Sequence, residues 1–458
     1  MDDMRDNLGM LSGLGDMGGV GGLGMLGALA GLGDLSTSTP TTMPYVAAET
    51  ADLDDEYVMH TFARMGVEFV AGQGSTLTDA AGNQYLDFVG GIGSCSLGHC
   101  HPMVVRALQY QAGRLWQVGN YYHTQNRGEL AHSISQFLSK TTDDEGHITG
   151  DQDIQWRSFF SNSGAESMEG AIKIARRHGE RNLKGAYGII TARRSFHGRT
   201  FGALAATGQD HYHESFQPLP RGFAHVQLND YAALVEMIDN PPAELGPVCA
   251  VALECIQGEG GVWPAQLDYL IMVSELCRDR GLLLIIDEVQ TGFFRTGAPF
   301  AFQRAGIVPD VVAMAKGLGG GFPIGAVAAR AEVADLMGPG DHGSTFGGNP
   351  LGCAVARAVV EEMESGELGE HVLAVGEHLA GALSALPHVS EVRGAGLLRA
   401  AQLDTPRAQD IVREGLAQGL VLNSIGDSIL RFLPPLVVGK GQVDILAERL
   451  KNLIEKLA

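Results

Sequence analysis

The sequence predicts an α/β fold built on a largely parallel sheet, and three observations carry that expectation. From Ser158 onward, short apolar runs alternate with stretches of helical spacing, at 159–160, 187–190, 224–226, 248–253, 282–286 and 311–315. Such alternation is the signature of parallel strands wrapped by helices. Two of the runs also end abruptly in charge: 282–286 leads into Asp287 and Glu288, and 311–315 leads into Lys316. Finally, Lys316 is followed by a glycine-rich turn, Gly317, Leu318, Gly319, Gly320 and Gly321. A buried strand that releases a charged group at its carboxyl end delivers it to the crevice above the sheet.

The elements follow in chain order. Residues 1–44 are rich in Gly, Leu and Met, have Arg5 as their only basic residue, and lack the continuous apolar centre of a signal peptide. Glycine at that density costs too much chain entropy to hold one conformation, so a disordered leader is expected there. Short strands are predicted at 67–70 and 84–88, with the turn Asp79 to Asn83 before the second. They belong to a segment, 45–95, expected to pack with a small C-terminal domain. Helical spacing covers 102 to about 116 and 129 to about 138. A large domain is assigned to 96–350. Gly347, Gly348, Asn349 and Pro350 open a long helix to about 365, the link into a smaller α+β domain over 351–458.

Composition excludes several function classes. A net charge of −21 with no compensating basic patch argues against nucleic acid or an anionic membrane as partner. No apolar stretch reaches the roughly 18 residues of a membrane helix. The six cysteines include no C-x-x-C pair and read as thiols in a reducing cytoplasm. Cys95, His99, Cys100 and His101 crowd together, but their spacing suits a glycine-rich turn better than tetrahedral metal ligation.

The paired strand ends carry the chemistry. A carboxylate at Asp287 and an amine at Lys316, presented to one crevice, fit pyridoxal phosphate: the lysine forms a Schiff base and the carboxylate holds the pyridinium nitrogen. A buried ion pair is the plain alternative. Ser161, Asn162, Ser163, Gly164 and Ala165 pass from strand to helix through small residues, whose free amides suit a phosphate. Phe196, His197 and Arg199 put an aromatic plane, an imidazole and a guanidinium in one loop, as stacking on a planar cofactor and clamping a carboxylate would require. An ordinary polar loop would look the same. For His197 a structural role is favoured over that of general base. Glu254 and Glu259 follow the strand at 248–253, where Arg393 could neutralise one of them. Ser344 and Thr345 offer hydroxyls in a flexible loop. The G-x-G after Lys316 lacks the strand–helix context of a dinucleotide site.

Taken in order, SNSGAE, SFHGRTFGALAATGQ, IQGEGGV, LLLIIDEVQTG, AKGLGGGFPIGA, HGSTFGGNPLGCAVA and RGAGLL closely resemble the class III pyridoxal-phosphate-dependent aminotransferases, over about residues 55–458. The resemblance implies fold type I of the pyridoxal-phosphate transferases: a mostly parallel seven-stranded sheet flanked by helices, plus the smaller domain. It implies that Lys316 is the Schiff-base and proton-moving lysine, and that Asp287 keeps the pyridine nitrogen protonated. Val289 and Phe196 would pack on the two ring faces, with Glu288 and Gln290 among the cofactor contacts. Gly164 and Ala165 would hold the phosphate, helped by Thr345 from the partner subunit of a homodimer. Arg199 and Ser344 would bind substrate, and Glu259 would pair with Arg393 as a switch between substrates. The implied reaction moves the δ-amino group of N-acetylornithine to 2-oxoglutarate, in arginine biosynthesis. Related ω-amines, namely succinylornithine, ornithine, diaminobutyrate and 4-aminobutyrate, are the alternatives, and a non-catalytic binding protein on the same fold a remote one. Two positions depart from the family: Cys255 where proline is usual, and Phe294 where glycine is usual.

Overall fold

A computed structural model describes residues 44–364 and 367–457 of the protein. The leader expected over 1–44 therefore lies outside the described residues, Pro44 excepted. Seven strands form the central sheet: β1 (Trp156–Ser161), β2 (Gly188–Ala192), β3 (Phe223–Val226), β4 (Val248–Leu253), β5 (Leu283–Asp287), β6 (Val311–Met314) and β7 (Gly325–Arg330). Their order across the sheet is β1-β7-β6-β5-β4-β2-β3. Every pairing is parallel except the two made by β7.

Strands β4, β5 and β6 are buried at every residue, and for that reason they read as continuous apolar runs rather than as alternating ones. The period of two survives in the packing. Val251, Leu253, Leu284, Ile286 and Val312 face the larger core, while Ala250, Ala252, Leu283, Ile285 and Val311 face a second one. That second core is closed by α1 (Gly164–Asn182), through Met168, Ala171 and Ala175. Its start is capped where Ser163 Oγ accepts from the Glu166 amide at 3.3 Å. Gly179 brings α1 against the sheet: a Cβ there would strike the Ala186 carbonyl and lie 2.8 Å from Cys249 Cβ.

Segments distant in sequence, around residues 84–87 and 420–421, meet in one sheet. Phe69–Gln73, Thr76–Asp79 and Gln84–Asp87 form an antiparallel meander, and Leu420–Val421 joins its last strand in parallel. A four-stranded antiparallel sheet then runs Val389–Ala395, Leu398–Leu403, Ile429–Phe432 and Asn423–Ile425. Helix Leu368–Ser384 packs on it and on helix Lys440–Leu457. The long helix after Asn349 spans Pro350–Glu364, as expected. Strands Thr76–Asp79 and β7, and the helix Ala48–Tyr57, go beyond the sequence reading. In β7, Gly325, Ala326, Ala328 and Ala329 carry too little apolar bulk to announce a strand.

Candidate active site

A cavity of about 450 Å³ lies over the carboxyl ends of β4, β5 and β6 and the amino end of α1. Lys316 leaves β6 into it. Its φ of 40° is a left-handed backbone state that a non-glycine residue adopts only under constraint. Burial draws its ammonium below the usual lysine range, against the opposing pull of Glu259. Asp287, the last residue of β5, lines the same cavity. Its Oδ2 pairs with His197 Nδ1 at 2.8 Å, and its Oδ1 accepts from the Val289 amide at 3.0 Å. The expected meeting of carboxylate and amine is therefore present.

Glu288 is a correction to the expected cofactor contacts. Consecutive residues at a strand end point to opposite sides, and Glu288 turns away from the cavity into the core. There it accepts from the Phe302 amide at 2.9 Å and from the Thr291 hydroxyl. Burial pushes its carboxyl up to about 7.

A second correction concerns the arginine switch. Glu259 pairs with Arg431, Nη1 to Oε1 at 2.6 Å, and also accepts from Gln290 Nε2 at 3.1 Å. Burial alone would raise the Glu259 carboxyl, but Arg431 and Lys316 outweigh it and hold it below the usual range. Arg393 lies elsewhere. It donates to the Gly261 carbonyl at 2.8 Å, pairs with Glu391 at 3.1 Å, and sits 3.8 Å over the Trp263 ring. The sequence does carry a signal for Arg431, one arginine inside the apolar strand Ile429–Phe432, but only strand packing shows where it points.

The remaining expected residues divide clearly. Gly164, Ala165, Phe196, Val289, Gln290 and Arg199 line the cavity. Gly164 is required where α1 meets Val289, since a Cβ there would lie 2.8 Å from Val289 Cγ1. The Arg199 guanidinium rests 3.6 Å over the Tyr212 ring. Ser344 stands one hydrogen bond back, accepting from Asn162 Nδ2 at 3.1 Å. Thr345 is exposed and takes no part in this cavity. Glu254 lines it, and burial, then Asp287, pushes its carboxyl well above the usual range. Phe294 adopts φ 65° with its ring edge-on to Phe137, so the backbone keeps a glycine-like conformation beneath a buried side chain. Cys255 is buried.

The model of the family Aminotransferase class-III matches residues 59–454. The chain belongs to the class III aminotransferases. An acetylornithine aminotransferase from Caldanaerobacter subterraneus subsp. tengcongensis is 44% identical over 88% of this chain and 98% of that protein. An ornithine aminotransferase structure from Toxoplasma gondii, with pyridoxal phosphate partly occupying its active site, aligns with TM-score 0.81 at 31% identity. It spans 90% of this chain and 96% of its own. The N-acetylornithine aminotransferase of Stenotrophomonas maltophilia aligns with TM-score 0.71 at 33% identity, over 89% of this chain and 98% of that one.

Pyridoxal phosphate is the cofactor of this aminotransferase, and the cavity suits it. Its walls bring together an amine, a carboxylate, an aromatic ring and a helix start. Two buried polar atoms of cavity-lining residues, His197 Nε2 and Gln290 Oε1, have no protein partner. When bound, the cofactor supplies an electrophilic carbonyl and an electron-accepting ring.

Proposed function

We propose that this aminotransferase takes the δ-amino group of N-acetylornithine, releasing N-acetylglutamate 5-semialdehyde, and delivers it to 2-oxoglutarate as glutamate. The observation that carries the reading is one cavity lined by Lys316, the exposed guanidinium of Arg199 and Glu259, with Glu259 paired to a second guanidinium, Arg431. The high identity to acetylornithine aminotransferases supports the choice of donor.

Each residue has a task in that scheme. Asp287, immobilised by His197 and the Val289 amide, holds a proton on the ring nitrogen. The Lys316 Nζ, drawn toward its neutral form by burial, moves the proton between carbon atoms. Gly164 and Ala165 bind phosphate at the helix start. Arg199 takes the α-carboxylate common to both substrates. While Glu259 holds Arg431, the site suits a donor with one free carboxylate. Release of Arg431 lets it bind the distal carboxylate of 2-oxoglutarate. The switch assigned in sequence to Arg393 thus falls to Arg431.

Comparing kcat/KM for N-acetylornithine, succinylornithine, ornithine, diaminobutyrate and 4-aminobutyrate tests the donor. A preference for any donor but the first would replace the named substrate and leave the cofactor site standing. The likeness to ornithine aminotransferase structures makes ornithine the second reading.

We further infer a homodimer. Tyr110, Trp116, Tyr121, Tyr122 and Phe346 are large and exposed, and Gln117 and Asn120 tie their segment to the Ser344–Thr345 loop. A second copy would cover this surface and receive Thr345 in its phosphate site. The division into 45–95, 96–350 and 351–458 is kept as a proposal, supported by the pairing of Gln84–Asp87 with Leu420–Val421. Cytoplasmic residence is likewise inferred, supported by six free cysteines. Among the described residues no helix is long and apolar enough to cross a membrane.

A further inference from the structure

The loop that carries Phe196 and Arg199 is fastened at consecutive residues to two strand ends. The Phe196 amide donates to Glu254 Oε2 at 3.0 Å, just beyond β4. His197 donates its amide to Thr207 Oγ1 at 2.9 Å, and its Nδ1 meets Asp287 Oδ2 at 2.8 Å, at the end of β5. From these anchors the side chains pack outward. The Phe196 ring lies edge-on to Tyr212, with centroids 6.1 Å apart, and the Arg199 guanidinium sits over both rings, at 5.6 Å and 3.6 Å. Gly198, at φ 135°, follows the anchored residues directly, in a backbone state that residues other than glycine rarely adopt.

We propose that Glu254 is a positioning residue for cofactor and substrate, whose buried carboxyl, by accepting the Phe196 amide, sets the plane of the Phe196 ring and with it the seat of Arg199. The inference rests on reading this cavity as the cofactor site. Glu254 is only 6% exposed and lines the cavity beside Asp287 and Glu259. Burial, then Asp287, favours its neutral acid, which keeps the acceptor without adding a third negative charge to the pocket. The requirement is therefore an oxygen acceptor of this length, and the charge is dispensable.

That requirement separates three variants of the full-length enzyme. Glu254→Gln keeps the acceptor and reach, Glu254→Asp shortens the reach, and Glu254→Leu removes the acceptor. For each, the dissociation constant of pyridoxal phosphate is measured by protein fluorescence, the visible circular dichroism of the bound cofactor is recorded, and kcat and KM are determined separately. Glu254→Gln should stay within about 3-fold of wild type in every measure, since one uncharged acceptor replaces another. Glu254→Leu should lose at least about 10-fold in cofactor affinity, lose much of the visible dichroism, and raise KM for both carboxylate substrates. Glu254→Asp should fall between, and it supplies the test should the Leu variant not fold. Glu254→Leu or Glu254→Asp with wild-type dichroism and KM overturns the proposal. So does a Gln variant as impaired as Leu, because charge rather than the acceptor would then be what matters. If the wild-type chain itself fails to bind pyridoxal phosphate, the cofactor reading falls, an outcome distinct from a silent Glu254.

Discussion

Lys316 combines a left-handed backbone with a buried amine, two costs that a merely structural lysine has no reason to bear. Lys316→Ala is expected to lose the cofactor's visible absorbance and about 10³-fold or more in turnover, measured by absorbance scan and rate assay. The two arginines are separable as well. Arg431→Ala should raise KM for 2-oxoglutarate by about 10-fold or more, since a paired carboxylate contact is lost, whereas Arg393→Ala should leave it within about 3-fold. If Arg393→Ala gives the larger effect in steady-state kinetics, the switch has been placed on the wrong strand. Glu288 makes a stability prediction. Its carboxyl is raised in the folded state to about 7, so its contribution is fully present below the ordinary carboxylate range and is lost as pH rises through about 7. Denaturant midpoints should therefore fall between about pH 4.5 and 7.5 and level off above, with a smaller fall in Glu288→Gln, for a difference on the order of 3 kcal/mol.

At the scale of elements, the strands buried on both faces were the legible ones, because their entire length must be apolar. Their charged ends were legible too, which located Asp287 and Lys316. Strand β7 was not, since its small residues pack under α1 with little hydrophobic signal of their own. Helix α1 depends on a close approach that only glycine permits. Gly179→Ala should cost about 1–3 kcal/mol in denaturant unfolding, because its Cβ would enter space held by the Ala186 carbonyl and Cys249. A neutral substitution there would mean that α1 can lift from the sheet without loss.

The molecule as a whole carries exposed aromatic surface beside a loop whose Thr345 is exposed and does not line the cavity of its own chain. Sedimentation of the purified protein should give twice the 48.4 kDa chain mass. Thr345→Ala should weaken cofactor binding by about 10-fold, as loss of one hydrogen bond to a charged phosphate implies. Hybrid dimers of Lys316→Ala and Thr345→Ala chains supply the sharper measurement. One of their two sites would combine an intact Lys316 with an intact Thr345 from the other chain, and should regain wild-type cofactor affinity. No regain on mixing would place Thr345 within its own subunit's site or outside both.

By itself the sequence determined the sheet's central strands, the residues released at their ends and the phosphate-suited start of α1, since each follows from local pattern: apolar runs, small residues, a cap. Tertiary structure alone decided that Glu288 faces the core while Asp287 faces the cavity, that Arg431 rather than Arg393 closes on Glu259, and that Glu254 holds the Phe196 loop. The reason is physical. A strand's pattern records how much of it is buried, but which neighbour a side chain meets depends on register and on how separate sheets pack, and those contacts join residues 14 to 172 positions apart.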